Sequence, residues 1–391
     1  MAHVEDRWRR AGRRNGLRWR VRFTGPDGRE HSRSFARKAD AERFLATTMA
    51  DVHRGQWLDP DAGRVTLRAY AEGWLAIQSH EASTREAVGM RLRKHVYPKL
   101  GGYTLAQLAA SPSLIQAWVS GLGVSEAYAR VIFTTLSAVL SAAVADRKIT
   151  ANPCQERTVR RPKAASHKVE PWTAGQVAAV RAALPERWQI LADLGAGLGL
   201  RQGEILGIAV ADIDFLRRVV HVRRQVRMVA ARLVFAEPKG GKQRDIPLPE
   251  SVALALAAHL AAHPARPVTL PWKEPGGEPV TAELIMASAT GKAVNRNTFN
   301  TYAWKPALAA AGIPATRANG CHALRHYFAS SLLHHGVDVR ALSEYLGHSN
   351  PGFTLRIYTH LMPAAHDRMR EAIDALAAQD HGPATAQEGA R

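Results

Sequence analysis

Tyr358 lies ten residues beyond His348, which lies 23 residues beyond Arg325, and His322 precedes that arginine by three. Further upstream stand Arg201 in GLGLRQGEILGI and Lys239 in EPKGGKQRDIPLP. These are the residue types that phosphoryl transfer on a nucleic acid requires: a nucleophile, cations for the charge of a pentacoordinate phosphate, and a proton for the departing oxygen. Two arginines with one or two histidines can clamp the non-bridging oxygens without a metal. A lysine can protonate a leaving 5′-oxygen, and a tyrosine attacks when a neighbour accepts its proton.

Taken singly, each residue has a plainer explanation. A lone histidine in a helix is usually packed or solvated. His322 and His326 stand at i, i+4, the spacing of a metal pair. There is no HExxH, however, no acidic third ligand at a suitable spacing, and Arg325 between them would repel a cation, so no metal site is expected. Arg201 and Glu204 at i, i+3 can form an ion pair, which gives Glu204 a structural part in orienting the backbone or Arg201. Tyr358 alone would be an ordinary core aromatic. The ordered set of six carries the chemical reading.

Positioning that set falls to mostly helical ground. CHALRHYFASSLL puts His322 and Arg325 on one face near a helix start, and the glycine of YLGHSN ends a helix just before His348. Arg201 opens a Gly-rich helix start. Lys239, with Lys242 as a competitor, sits in a turn between β-rich runs of 219–249. A catalytic domain over 172–379 follows, closed by a helix over 364–379, with a disordered tail at 380–391.

Ahead of it the segments LRAYAEGWLAI, STREAVGMRLRKHVYPKL, SLIQAWVSGL and EAYARVIFTTLSAVLSAAVADRKI carry apolar residues at three- and four-residue spacing. They predict a four-helix bundle over 65–152, with Ser83 and Ser125 as N-caps and Ser83 with Glu86 as a capping box. Its basic stretch Arg91, Arg93, Lys94 is a candidate DNA-facing surface. The polar, basic stretch 153–171 is expected to be a linker, and 55–64 a shorter one.

The first 58 residues form a small basic unit. In GLRWRVRFTG, Leu17, Trp19, Val21 and Phe23 alternate with Arg18, Arg20 and Arg22, a strand with one cationic face. GPDG turns into a second strand, REHSRSF, and KADAERFLATTMADVHRG reads as a helix capped at Gly55. Residues 1–55 hold 14 Lys/Arg against 7 Asp/Glu. With the basic lead-in Arg7, Arg9, Arg10, Arg13 and Arg14, that balance makes Arg18, Arg20 and Arg22 candidate phosphate contacts.

Over the whole 391 residues the formal charge is +19, which favours polyanionic partners. No apolar run is expected to span a bilayer, no secretory h-region opens the chain, and two distant cysteines make neither a disulfide framework nor a zinc finger. A cytoplasmic, nucleoid-associated location is expected.

Four motifs, GLGLRQGEILGI, EPKGGKQRDIPLP, CHALRHYFAS and YLGHSNPGFTLRIYTHL, resemble the tyrosine recombinase family in type, order and spacing across most of 172–362. The flanking organisation resembles phage-type integrases with an amino-terminal arm-binding domain. The resemblance implies a multidomain, mainly α protein: a small α+β arm-type domain, a helical core-type DNA-binding domain, and a mostly helical catalytic domain with a small β-sheet. Arg201 and Arg325 would then bind the scissile phosphate, Lys239 would be the general acid, and His322 would act as base or phosphate ligand. His348 would bind phosphate, and Tyr358 would attack to leave a 3′-phosphotyrosyl bond and a free 5′-hydroxyl.

Retention of bond energy implies that neither ATP nor a metal is needed, and no cofactor is expected. Implied partners are double-stranded DNA at core and arm sites, three further copies of the chain in a synaptic tetramer, a host DNA-bending protein and a directionality factor. The arm-like unit favours integration of a prophage or mobile element. A chromosome-dimer resolvase, a transposon recombinase, a type IB topoisomerase-like relaxer and a non-catalytic DNA-binding homologue are the competing readings.

Overall fold

The computed structural model describes residues 2–11, 16–26, 28–54, 59, 61–163, 169–348, 350–358, 370 and 373–374. The chain divides into two compact units, Met1–Ala165 and Ser166–Arg391.

The first unit opens with a three-stranded antiparallel sheet, His3–Asp6, Trp19–Thr24 and Glu30–Phe35, with the middle strand second in sequence. The strand His3–Asp6 was not expected, because its four residues are too short for a period-2 pattern to stand out. Val21 and Phe23 point to a small core completed by Ala41, Phe44, Leu45 and Met49 of the helix Lys38–His53. Leu17, expected on that apolar face, precedes the strand and is 48% exposed. Gly55 lies outside the described residues, and the helix ends on Arg54 as its C-cap.

The helical part of this unit contains Leu67–Ile77, Ala82–Arg91, Pro112–Ser120 and Glu126–Ala145, as the periodicity predicts. A further short helix, Leu105–Ala110, carries a Thr104/Gln107 capping box. Ala82–Arg91 continues through one π-helical stretch, Leu92–Val96, into Tyr97–Leu100. The N-cap of Ala82–Arg91 is Glu81, so Ser83 lies inside the first turn and the expected Ser83/Glu86 cap position is corrected by two residues. Ser125 does occupy an N-cap.

Glu126–Ala145 is long and apolar enough to cross a membrane by length and composition, contrary to the expectation from sequence. Its apolar side is nonetheless the core of the bundle, with Ile132, Phe133, Leu136, Val139 and Leu140 all buried. Burial continues beyond residue 152: Cys154 and Val159 join the same core, and Asn152 caps Pro153–Gln155 while its amide donates to Ser137 and Ser141. The expected linker at 153–171 is therefore folded onto the bundle at its start. An amphipathic count misses this, because single apolar residues in a polar stretch show no period.

Among its described residues the second unit places three small sheets against helices, where one sheet was expected. Ile213–Asp214, Val219–Val222 and Arg244–Pro247 form one sheet, and Gln225–Val229 pairs with Arg232–Ala236 in a hairpin. A second hairpin, Arg266–Pro271 with Pro279–Leu284, was missed because three prolines demote both runs as strands. The core gathers around Glu186–Leu198, whose buried side includes Ile190, Leu191, Leu194 and Leu198. Trp172 and Trp304 stack at 5.9 Å with their indole N–H groups on the side chain and carbonyl of Asn319. The helices His322–His334, Val339–Leu346 and Pro351–Tyr358 complete the described part. The tail 380–391 and most of the expected helix over 364–379 lie outside the described residues.

Candidate active site

Helix ends build this site. Gly199 terminates Glu186–Leu198 at φ +62°, and Gly347 terminates Val339–Leu346 at φ +60°. Both are left-handed caps, a conformation that glycine takes without the Cβ penalty. The carbonyls left over at these ends accept from Arg325, whose Nη1 donates to Gly199 O at 2.7 Å and whose Nη2 donates to Leu346 O. A cation is electrostatically favoured at a helix C-terminus, and Arg325 serves two of them while only 1% exposed. Its burial and the nearby Arg201 charge lower its pKa to about 9, which still leaves it charged at neutral pH.

Arg201 is the N-cap of Gln202–Ile205. Its backbone N–H and Nη1 both donate to Glu204, at 2.9 Å each, and Nη2 reaches Gly347 O at 3.3 Å. Glu204 has the positioning role expected of it, but it serves a second arginine too. Arg244, on the strand Arg244–Pro247, donates from Nη1 and Nη2 to the two carboxylate oxygens and from Nε to Tyr345 O at 2.6 Å. Burial alone would raise the Glu204 carboxyl. The Arg244 hydrogen bonds and the charges of Arg244 and Arg201 overcome that and hold it near 2.

His348 lies between Arg325 and Thr354. A guanidinium can only donate, so the Arg325 Nη2 contact at 3.1 Å makes His348 Nε2 an acceptor. The proton then resides on Nδ1, which donates to the buried Thr354 hydroxyl at 2.7 Å. Burial and the surrounding arginines push His348 down to about 3, consistent with a neutral ring. His322 begins the helix with its outer edge accessible. Crowding by protein atoms, then the His326 ring and the Arg325 and Arg201 charges, lower its pKa as well.

Tyr358 ends Pro351–Tyr358 and is 1% exposed. Its hydroxyl is 2.7 Å from His326 Nδ1, and His326 in turn packs edge-on against His322 at 4.7 Å between ring centres. Burial pushes the phenol up to about 12, with the Arg325 charge opposing. Arg201, Arg325, His322, His348 and Tyr358 thus belong to one electrostatically connected cluster.

Lys239 lies apart from that network. It is exposed in the turn 238–241, closed by the Gly241 N–H on Pro238 O at 2.9 Å. The strand before it pairs within the Gln225–Val229 hairpin and the strand after it pairs with Val219–Val222, so the turn links two sheets rather than closing a hairpin. Lys242 is equally exposed.

The other candidates are distributed differently. Arg18 donates to Asp6 from Nε and Nη2 and lies over the rings of Trp8 and Trp19; Arg20 and Arg22 pair with Glu5 and Glu30 at 3.6 and 3.2 Å. Arg91 bonds the Thr135 hydroxyl, whereas Arg93 and Lys94 are exposed. Sequence reasoning passed over Arg244 and Thr354, and weighed His326 only as half of a metal pair. The RDIP within the second motif was the available signal for Arg244, and the i, i+4 pair was that for His326. Among the described residues no group of three His, Cys, Asp or Glu could hold a metal.

The model of the phage integrase family matches residues 175–364, and that of the phage integrase N-terminal domain matches residues 12–54. A putative prophage phiRv2 integrase of Mycobacterium tuberculosis is 30% identical over 372 residues, covering 91% of this chain and 92% of the relative. The integrase of Mycobacterium phage D29 is 26% identical over 346 residues, 86% of each chain. Among solved structures, the Tn1549 transposon integrase in complex with transposon right end DNA matches with a TM-score of 0.65 at 22% identity, covering 80% of this chain and 100% of that one. The lambda integrase tetramer bound to a Holliday junction matches at 0.56 and 19% identity, over 87% and 95%. The chain belongs to the phage integrase family: it is a site-specific tyrosine recombinase of the integrase kind.

Proposed function

We propose that the chain cuts DNA by attack of Tyr358 on a phosphodiester held by Arg201 and Arg325, with Lys239 as general acid. The observation that carries this reading is the placement of Arg325. It is a buried cation fixed by the carbonyls of two helix ends and by His348, in electrostatic reach of both Arg201 and Tyr358. Three of its five N–H groups hold it in place, which leaves two for phosphate oxygens. A preorganised donor set of this kind stabilises transition-state charge without reorganising at the moment of reaction.

In this scheme the Tyr358 oxygen bonds to phosphorus, the bond from phosphorus to the 5′-oxygen breaks, and the leaving oxygen takes a proton from Lys239. His322 and His348 assist at the phosphate, His348 by way of Arg325. The 3′-phosphotyrosyl bond keeps the energy for rejoining, and arginines supply the positive charge, so the reaction runs without ATP or a metal. The lambda integrase relative is a tetramer on a Holliday junction, and we extend that assembly to this chain. We assign residues 1–58 to arm-site DNA, 65–152 to core-site DNA and 172–379 to chemistry. Host DNA-bending and directionality proteins complete the proposed synapse.

The test is a nicked suicide duplex taken from the direct repeat that borders the integrated element. The parental chain traps a covalent protein–DNA adduct, whereas Tyr358→Phe binds the same duplex and traps none. An undiminished adduct in that variant overturns the assignment. Relaxation of supercoiled plasmid irrespective of sequence would instead favour a topoisomerase-like activity.

A further inference from the structure

We propose that His326 is a catalytic residue, the acceptor of the Tyr358 phenol proton, a role for which nothing else in the described site is as well placed. The inference rests on Tyr358 being the nucleophile. It starts from geometry: His326 Nδ1 and the Tyr358 hydroxyl are 2.7 Å apart, within the range of a direct proton transfer, and the rings meet at 5.7 Å with a 59° tilt. The two residues come from different helices, and the phenol is 1% exposed, so bulk water does not compete for that proton.

A base is needed because the phenol does not ionise by itself near neutral pH, its pKa having been pushed up by burial to about 12. His326 is neutral near pH 7 and so has a lone pair to offer; because its pKa is low, the transfer must run together with bond formation to phosphorus rather than ahead of it. Burial, and then the charge of Arg325 beside it on the same helix, lower its pKa to about 4. The groups facing its ring are the Tyr358 hydroxyl on Pro351–Tyr358, the His322 ring one turn back, and the Arg325 guanidinium. A neutral imidazole has one free nitrogen lone pair. With the proton on Nε2, Nδ1 accepts from the phenol O–H and holds the oxygen in a fixed direction.

The step balances without a further reactant. The phenolic O–H bond breaks as its proton moves to Nδ1, the Tyr358 oxygen bonds to phosphorus, and the 5′-oxygen leaves with the proton from Lys239. Rejoining reverses each transfer. The His326 imidazolium formed in between lies beside the His322 ring, which stays neutral and adds no opposing charge.

The experiment uses the full chain and the suicide duplex in two forms, one with an ordinary 5′-oxygen and one with a bridging 5′-sulfur at the exchange point. Sulfur leaves without needing a proton, so the second form removes the demand for a general acid but not for a base. His326→Gln and His326→Asn keep a polar group but cannot take a proton. They are expected to bind the duplex as the parental chain does and to form adduct about 10²-fold or more slowly on both forms. Their rate should rise about tenfold per pH unit, because the phenol must then be ionised before it attacks, whereas the parental rate stays nearly flat from pH 6 to 8. Lys239→Ala should be slow on the oxygen form and restored on the sulfur form.

A rate within threefold of parental with an unchanged pH profile in both His326 variants overturns the proposal. So does restoration of either variant by sulfur, which would place His326 at the leaving group. Loss of duplex binding in both makes His326 structural and overturns it likewise. Adduct formation by Tyr358→Phe would instead overturn the nucleophile itself, so the two failures are distinguishable.

Discussion

Arg244 and Glu204 face each other across two hydrogen bonds, Nη1 to Oε1 at 3.1 Å and Nη2 to Oε2 at 2.8 Å, with the carboxylate fully buried. The pair connects the strand Arg244–Pro247 to the helix that Arg201 caps, and the third nitrogen of Arg244 extends the connection to Tyr345 O. Arg201 is therefore aimed by a carboxylate that is itself held by a second arginine.

Removing Arg244 leaves Glu204 buried with Arg201 as its remaining cation, and breaking a buried pair from one side costs about 3–5 kcal/mol. Arg244→Ala is expected to lose stability in that range in urea unfolding. Arg244→Lys, which keeps the charge but loses the planar fork, should fall between the two. Adduct formation should drop in both, more than duplex binding does.

Gly199 is the tighter of the two left-handed caps. A Cβ there would lie 2.4 Å from the Phe328 ring, in a backbone conformation that already costs an L-residue about 1–2 kcal/mol. Gly199→Ala should lower the Tm more than Gly347→Ala, whose Cβ would stay 3.2 Å from the nearest atoms of the Arg244 side chain. Thermal unfolding of the two variants gives the order directly.

His348 gives the fold an acid sensitivity. Its folded pKa is near 3 against about 6.5 unfolded, so below pH 6.5 the unfolded chain binds a proton that the folded one does not. The contribution is complete above pH 6.5 and is lost as pH falls from there towards the folded value, by at most about 1.4 kcal/mol per pH unit. The unfolding free energy of the parental chain should drop between pH 6.5 and 4, and His348→Asn should show a shallower slope over that window.

The basic candidates of the first unit separate by their partners. Arg93→Ala and Lys94→Ala remove exposed cations, and for each that contacts a phosphate the log–log salt slope of duplex binding should flatten by about 0.9 with the Tm unchanged. Arg91→Ala breaks a hydrogen bond to Thr135 and Arg18→Ala a two-nitrogen contact with Asp6, so both should lower stability as well. Equal Tm values across all four variants would contradict the division.

Much of the chemistry was legible along the chain. H-x-x-R, L-G-H-S and a tyrosine ten residues on are local patterns, and the helices that carry them follow from three- and four-residue spacing and from glycine stops. Helix existence in 65–145 was equally legible, because long periodic segments outvote single residues. Less was visible where contacts are distant or short. The four-residue strand His3–Asp6, the proline-bearing hairpin and the packing of Cys154 and Val159 depend on partners far along the chain.

The sequence by itself determined which residue types are present, their order, and hence the class of reaction. What only the tertiary structure decided is who touches whom. His348 lies on Arg325 and Thr354, Glu204 is shared by Arg201 and Arg244, and the phenol of Tyr358 rests on His326 rather than His322. The physical reason is that His322 and His326 are neighbours on one helix and equivalent in any periodic reading. The packing of Pro351–Tyr358 against that helix chooses between them, and burial then sets the charge that each can carry.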